Sequence, residues 1–179
     1  MAYVQTTPHT ETFEAGVTSE ERTWAALAHA STLVTLLLAL GTAGIGGLLF
    51  VFVPLAIYLI YKDKSEYIAF HAAQAFALQM LASVGFFVAI IAAVVVVVIA
   101  WVITGLLSII LIGLVLIPVA LLLTLALALA LVALPFVLGG FSLVAAIQAG
   151  GGEDYRYPYL GQWIAAWLAR SQAPARPAV

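Results

Sequence analysis

Two long apolar runs dominate this chain. No residue between Arg22 and Lys62 carries a formal charge, and none does between Glu66 and Glu153. Each run exceeds the roughly 20 apolar residues that a helix needs to cross a hydrocarbon core of about 30 Å. Strict alternation of apolar and polar residues, which a spanning barrel strand would require, is absent. The pattern therefore predicts an all-α integral membrane protein, because helices are the remaining way to satisfy the backbone in lipid.

Cap, glycine and proline positions divide these runs into four predicted membrane helices. Thr18 and Glu21 have the spacing of a capping box at the start of the first helix. The glycine-rich segment 41–47 ends that helix, and Pro54 predicts a kink in the second. We expect a four-transmembrane-helix bundle with an extended central apolar region, its helices lying at about 20–40, 47–62, 66–103 and 118–149. Residues 104–117 are expected to form a short or re-entrant piece. A six-helix version, with four crossings after residue 66, is the alternative.

Both ends of the chain differ from this apolar centre. Residues 1–19 are expected to form a flexible polar tail, since they lack the basic and apolar regions of a signal peptide. Residues 159–170 carry two tryptophans four positions apart and predict an amphipathic helix lying in the membrane interface. Residues 171–179 are expected to be disordered. The predicted interface anchors are Trp24, Trp163 and Trp167.

The positions of the charges constrain the topology. All six Lys and Arg residues lie in the amino-terminal part, the 62–64 loop or the carboxy-terminal segment, and the turns at 41–47 and 104–118 contain none. An even number of crossings after residue 66 places all six on one face, as the positive-inside rule requires for the cytoplasmic side. We therefore expect a multi-pass membrane protein with both termini in the cytoplasm. Its expected docking face comprises Lys62, Asp63, Lys64, Glu66, Glu153, Asp154 and Arg156.

The segment "EDYRYP", residues 153–158, places paired acids beside a tyrosine and an arginine. Paired carboxylates can perform acid/base chemistry, but neighbours on a solvated loop rarely converge on a substrate. We interpret the segment as a solvated docking element, with Arg156 a candidate partner for Glu66 or Asp63.

Polar residues within the apolar runs are few. The candidates for interhelical or partner contacts are His29, His71, Gln74, Gln79 and Gln148. Ionisable residues inside a membrane are functional candidates. Their positions near helix entries nevertheless favour hydrogen bonds between helices, with binding of a polar substrate or lipid headgroup as the alternative. No third ligand of suitable depth supports a metal site, and the absence of cysteine excludes thiolate chemistry. We predict no catalytic residue, cofactor or metal, and the net charge of −2 does not suggest nucleic acid.

Three patches, "EERTWAALAHAS", "VPLAIYLIYKDKSEYIAFHAAQAFALQ" and "AAIQAGGGEDYRYP", resemble in this order the bacterial Tic20-like membrane family, long catalogued as a domain of unknown function. The resemblance covers about residues 20–158 and includes relatives similar to the magnetosome protein MamF. It implies a four-helix membrane domain with cytoplasmic termini and, for a bacterial member, a location in the inner membrane. Chloroplast members belong to a protein import translocon, and MamF-like members take part in assembling bacterial organelles. The apolar region between His71 and Gln148 is about 30 residues longer than the family pattern.

The sequence thus predicts a non-enzymatic structural or assembly subunit of a larger membrane complex. Its expected partners are the lipid bilayer and other membrane proteins or further copies of itself. A translocation or transport subunit of the Tic20-like type, or a lipid-binding membrane protein, is the alternative. A water-accessible groove lined by His29, His71 and the glutamines would favour transport, whereas protection of these side chains from water would favour packing.

Overall fold

The computed structural model describes residues 16–42 and 44–172. Most of the predicted polar tail and most of the predicted disordered tail, residues 1–15 and 173–179, lie outside these ranges. Within the described residues the chain is all-helical, as expected. The six helices are α1 (Ser19–Gly41), α2 (Ile45–Phe50), α3 (Val53–Tyr61), α4 (Glu66–Ser108), α5 (Ile112–Gly151) and α6 (Leu160–Gln172).

Helix α1 begins at the predicted capping box. The Thr18 hydroxyl accepts a hydrogen bond from the backbone N–H of Glu21 at 3.2 Å, and the Glu21 carboxylate accepts one from the backbone N–H of Thr18 at 2.8 Å. Two N–H groups that the first turn leaves without helical partners are thereby satisfied. The start of α1 is consequently fixed at the polar end of the apolar run.

Three helices of the described chain are long and apolar enough to cross a membrane: α1, α4 and α5. The expected count of four is not confirmed, because the segment expected as one helix at 47–62 is divided into α2 and α3. Pro54 accounts for the interruption. It lacks an N–H to donate to the carbonyl of Phe50, and its ring would clash with that carbonyl in a continuous helix. Pro54 instead lies in the first turn of α3, where no such bond is needed.

The chain divides into two compact units. The first comprises Met1–Phe76 with Ser142–Val179, and the second comprises Ala77–Phe141. The described part of the first unit contains α1, α2, α3 and α6 with the start of α4 and the end of α5. Its core is built from small and branched apolar residues, against which Trp24, Tyr58 and Tyr61 pack: Ala28, Ile57, Ile68, Ala72 and Ala75.

The second unit is a helical hairpin made from the remainder of α4 and α5. Its turn comprises residues 109–111, so the segment 104–117 is not a separate short or re-entrant piece but the end of α4, this turn and the start of α5. The indole N–H of Trp101 donates to the Thr124 hydroxyl at 3.1 Å and joins the two helices. Pro118 and Pro135 both lie inside α5, which continues past them. At 1.5 Å per residue, the parts of α4 and α5 in this unit, residues 77–108 and 112–141, are about 48 and 45 Å long, each longer than a bilayer core of about 30 Å.

Helix α6 begins and ends close to the predicted amphipathic helix. Gly161, Ile164 and Leu168 form its buried stripe, with the spacing of one helical face. Trp163 is 59% exposed, and the ring of Trp167 lies 6.0 Å from that of Tyr58. The helix therefore covers the first unit with one face and presents aromatic and polar residues on the other.

Candidate functional site: a buried His–His–Tyr cluster

Two intramembrane histidines meet inside the first unit. His29 on α1 and His71 on α4 are both 0% exposed, and His29 Nε2 lies 3.1 Å from His71 Nδ1. The other ring nitrogen of His29, Nδ1, lies 3.0 Å from the hydroxyl of Tyr157, which follows α5. Three segments that are distant in sequence are thus joined through one imidazole. The two histidines that the sequence singled out as candidates for interhelical contacts are thus brought together.

The protons in this chain of bonds can be arranged in two ways. In one, Tyr157 donates to His29 and His29 donates to His71. In the other, His71 donates to His29, His29 donates to Tyr157, and Tyr157 donates to the Ser142 hydroxyl at 3.5 Å. Each arrangement keeps both histidines neutral, since a neutral imidazole carries one N–H and one acceptor nitrogen. Burial raises the pKa of Tyr157, so that its phenol remains protonated.

One polar atom of the cluster remains unsatisfied. His71 Nε2 is buried and has no hydrogen-bond partner among the described residues. In either proton arrangement it is an unpaired N–H or an unpaired acceptor. Aromatic rings border the His71 ring, with the centroid of Tyr67 at 4.4 Å from that of His71 and the centroid of Phe70 at 5.5 Å. The arrangement therefore encloses a polar atom in an aromatic environment rather than opening it to a water-filled path.

The side chain of Gln74 forms hydrogen bonds with the backbone of the segment after α5. Its amide N–H donates to the carbonyl of Tyr155 at 3.1 Å, and its amide oxygen accepts from the N–H of Tyr157 at 3.1 Å. These bonds satisfy both ends of the 0% exposed side chain and place Tyr157 beside His29. A Cβ on Gly161 would lie 2.8 Å from the Gln74 amide oxygen, so the start of α6 requires glycine at this close approach.

Tyr67 fastens the end of α5 to the start of α4. Its hydroxyl lies 2.8 Å from the carbonyl of Ala149 and 3.2 Å from that of Glu153. Ala149 lies in the last turn of α5 and Glu153 two residues beyond its end, where carbonyls lack α-helical partners. The start of α4 and the end of α5 are therefore adjacent.

The "EDYRYP" segment is only partly the solvated element that we expected. Glu153 is exposed, but Tyr157 is 3% exposed and belongs to the core. Arg156 pairs with Asp154 at 2.7 Å, and not with the expected partners Glu66 or Asp63. The Arg156 guanidinium also lies 5.2 Å from the centroid of the Phe70 ring, a cation–π distance.

The charge clusters of the first unit lie at one end of it. The Ser65 hydroxyl donates to the Glu21 carboxylate at 2.7 Å, which places the 62–65 loop beside the start of α1. The Trp24 and Tyr61 rings, 5.3 Å apart, pack at the same junction. Since Tyr67 brings Glu153 to the start of α4, all three charge clusters share this end. We call it the charged face; its exposed members include Lys62, Asp63, Lys64, Glu66 and Glu153.

The remaining candidate residues lie outside the His–His–Tyr cluster. Gln79, in the second unit, is 2% exposed. Gln148 is half-buried near the end of α5, and its side chain is not bonded to either histidine. Nothing in the sequence pattern marks Tyr67 or Ser142, and Tyr157 is marked only as part of the "EDYRYP" segment. The side chains near "YRYP" do not indicate that this segment is bound, because Gln74 bonds to the backbone atoms of Tyr155 and Tyr157.

The chemistry available to the cluster is hydrogen bonding between neutral groups. Within the described residues, no group of three or more His, Cys, Asp or Glu side chains is placed to hold a metal ion. A nucleophile beside a solvent-accessible base is not formed here either, because His29, His71 and Ser142 are all 0% exposed. The cluster is a buried hydrogen-bond network that joins α1, α4 and the segment after α5.

Comparison with known families gives a match to the MamF/MmsF family, described as the magnetosome magnetite crystal formation protein family, over residues 20–164. The matched range covers about four-fifths of the chain and includes every residue of the cluster. It supports the MamF-like part of the sequence resemblance and gives no support to the Tic20-like part. No curated protein and no solved structure matches the chain.

Proposed function

Because this chain belongs to the magnetosome magnetite crystal formation protein family, we propose that it is a non-enzymatic membrane subunit that helps to build a protein complex in the membrane where such crystals form. Its role is to present fixed surfaces to other membrane proteins. Its own polar groups serve to hold those surfaces in place.

The closed polar cluster is the observation that carries this proposal. His29, His71 and Gln74 are each 0% exposed and bond to one another or to the segment 155–157. A transport path would need these side chains to line water, since they are the polar groups expected at that depth. Their burial instead favours a structural role, in which interhelical hydrogen bonds fix the packing of the first unit.

Two surfaces are available to partners. The charged face gathers exposed side chains of both signs, with Lys62, Lys64 and Glu153 among them. The hairpin of the second unit exposes branched and aromatic apolar side chains along both of its helices. Its helices exceed a single bilayer crossing by length, and excess hydrophobic length promotes tilting and association between helices. We propose that the hairpin packs against neighbouring membrane helices and that the charged face binds a soluble partner.

Contacts between the ends of the helices bear on the number of membrane crossings. Ser65 returns to Glu21, so α2 and α3 together reverse the direction of α1. Tyr67 likewise joins the start of α4 to the end of α5. These contacts support an even number of passages, with α2 and α3 as a broken fourth span and the charged face in the cytoplasm.

Purification from the native membrane tests this function. The full chain, carrying a small affinity tag, is extracted directly into native nanodiscs and analysed by sizing and mass spectrometry. We expect a particle several times larger than the 18.9 kDa chain that contains other membrane proteins in fixed ratio. A matched preparation of a variant with Lys62 and Lys64 both changed to Glu should lose the soluble partner and retain the membrane partners.

A chain that elutes alone, in the same nanodiscs and from cells that are forming crystals, would contradict a role as a subunit. Recovery of other proteins in variable, substoichiometric amounts would contradict it equally, because a structural subunit has a fixed place in its complex.

A further inference from the structure

A groove on the first unit runs along α1 where the end of α5 packs against it. Its volume is about 520 Å³, within the range of small-molecule sites. One end is polar and lined by Ser19, Arg22 and Thr23. The remainder is lined by small or apolar side chains, including Ala26, Ala30 and Ala146. The groove therefore changes from cationic and polar to apolar along one helix.

Arg22 is available to a ligand at the polar end. Its side chain is exposed and, within the described residues, forms no ion pair. The neighbouring Glu21 carboxylate is already engaged by Thr18 and Ser65. The Arg22 guanidinium lies against Gly152, which has φ +88° and where a Cβ would lie 2.8 Å from Arg22 Nε. A backbone position without a side chain thus leaves room for the guanidinium at the groove entrance.

We propose that this groove binds a membrane glycerophospholipid, with its phosphate on Arg22 and one acyl chain along Ala26, Ala30 and Ala146. A guanidinium forms strong, paired hydrogen bonds with phosphate oxygens. Trp24, two residues away, is of the type found at the depth of lipid headgroups, so Arg22 lies at the level where phosphates are present. From Arg22 to Ala30 the helix rises about 12 Å, from headgroup to acyl-chain depth.

This site is separate from the His–His–Tyr cluster and does not rest on the proposed function. Charge complementarity to Arg22 and the order of polar and apolar linings favour a phospholipid as its occupant. A free phosphate ester would use the same guanidinium but would not need the apolar part of the groove. A lipid without phosphate would use the apolar part alone.

Native mass spectrometry of the full chain in detergent tests the site. The probes are palmitoyl-oleoyl phosphatidylglycerol and the matching diacylglycerol, each titrated into delipidated protein. We expect one phosphatidylglycerol retained per chain, with diacylglycerol about tenfold weaker. Arg22→Gln should lower phosphatidylglycerol affinity about tenfold, and Ala146→Leu should lower it by filling the groove. Arg170→Gln, which removes an exposed arginine of α6 outside the groove, should leave the affinity unchanged.

Wild-type affinity in both Arg22→Gln and Ala146→Leu would overturn the proposal, and so would equal retention of diacylglycerol and phosphatidylglycerol by the wild-type chain. Displacement of the bound lipid by millimolar glycerol 3-phosphate would assign the site to a soluble phosphate ester instead. Retention of a folded state by the variants is checked by size-exclusion elution at the wild-type volume.

Discussion

His29 Nε2 and His71 Nδ1 lie 3.1 Å apart within the first unit, although 42 residues separate them in the chain. The contact joins α1 to α4 at a point where both side chains are fully buried. Because His29 also contacts Tyr157 through its second nitrogen, it is the central member of the cluster. The stability of the first unit should therefore depend on His29, which, like Gln74, forms two hydrogen bonds to distant parts of the chain.

Replacing His29 by phenylalanine should destabilise the protein. The change leaves the Tyr157 hydroxyl and His71 Nδ1 buried without their partner, at a cost of about 1–3 kcal/mol for an unsatisfied polar group. The free energy of unfolding in mixed detergent micelles, measured by SDS titration, checks this. Gln148→Leu is the control, because Gln148 is half-buried and not bonded to the histidines; its effect should stay within about 0.5 kcal/mol. Equal effects of the two substitutions would show that the His29 bonds contribute nothing.

Tyr157 and Tyr159 form a matched pair for testing the buried hydroxyl. Tyr157 is 3% exposed and Tyr159 is 90% exposed. Tyr157→Phe removes one hydroxyl from the cluster and should lower the free energy of unfolding by about 1 kcal/mol. Tyr159→Phe removes a solvated hydroxyl and should have no measurable effect. The same SDS titration distinguishes them, and a Tyr157→Phe variant as stable as the wild type would refute the bond to His29.

Replacement of glycine by alanine should have opposite effects at Gly161 and at Gly85. A Cβ at Gly161 would lie 2.6 Å from the Arg156 Cβ and 2.8 Å from the Gln74 amide oxygen, whereas one at Gly85 would meet nothing within 4 Å. Gly161→Ala should therefore destabilise the protein by about 1–3 kcal/mol through overpacking. Gly85→Ala should be neutral or stabilising by up to about 1 kcal/mol, because alanine favours the helix. Thermal unfolding in detergent, monitored by circular dichroism, checks both. A stabilised Gly161→Ala variant would mean that α6 does not pack against Gln74.

The proposed topology predicts the sidedness of three positions. The chain contains no cysteine, so single cysteines can be introduced without removing others. In inside-out membrane vesicles, a membrane-impermeant maleimide should label Lys64→Cys and Glu153→Cys but not Leu111→Cys in the hairpin turn. In right-side-out vesicles only Leu111→Cys should react. Labelling of Lys64→Cys and Glu153→Cys from opposite sides would require an odd number of crossings after residue 66 and would refute the topology.

Part of the helical framework could be predicted from the sequence, because some helix boundaries have a local cause. The capping box at Thr18 and the interruption near Pro54 depend on residues within a few positions of the boundary. The position of the turn in the second unit was not predicted from the sequence. Pro118 was expected to begin a helix and instead lies within α5, because a long apolar helix in a membrane protein can continue through a proline.

The cluster was only partly predictable for a similar reason. His29 and His71 are rare polar residues in apolar runs, and this rarity marked them. Tyr157 lies among charged residues that indicate a solvated loop, and the bonds that bury it come from Gln74 to the backbone. A side-chain pattern carries no information about which backbone groups a glutamine will satisfy. Contacts of this kind require the folded arrangement.

The accessibility of Ser142 shows whether the His–His–Tyr cluster is closed. Ser142→Cys is a nearly isosteric change at a 0% exposed position beside the Tyr157 hydroxyl, and Ser171→Cys places the same group on the exposed end of α6. In native membranes treated with the small, membrane-permeant N-ethylmaleimide, Ser171→Cys should react within minutes. Ser142→Cys should react only after SDS unfolds the protein. If Ser142→Cys reacts at the rate of Ser171→Cys before SDS is added, the cluster is open. That result would contradict its role as a buried, structural hydrogen-bond network.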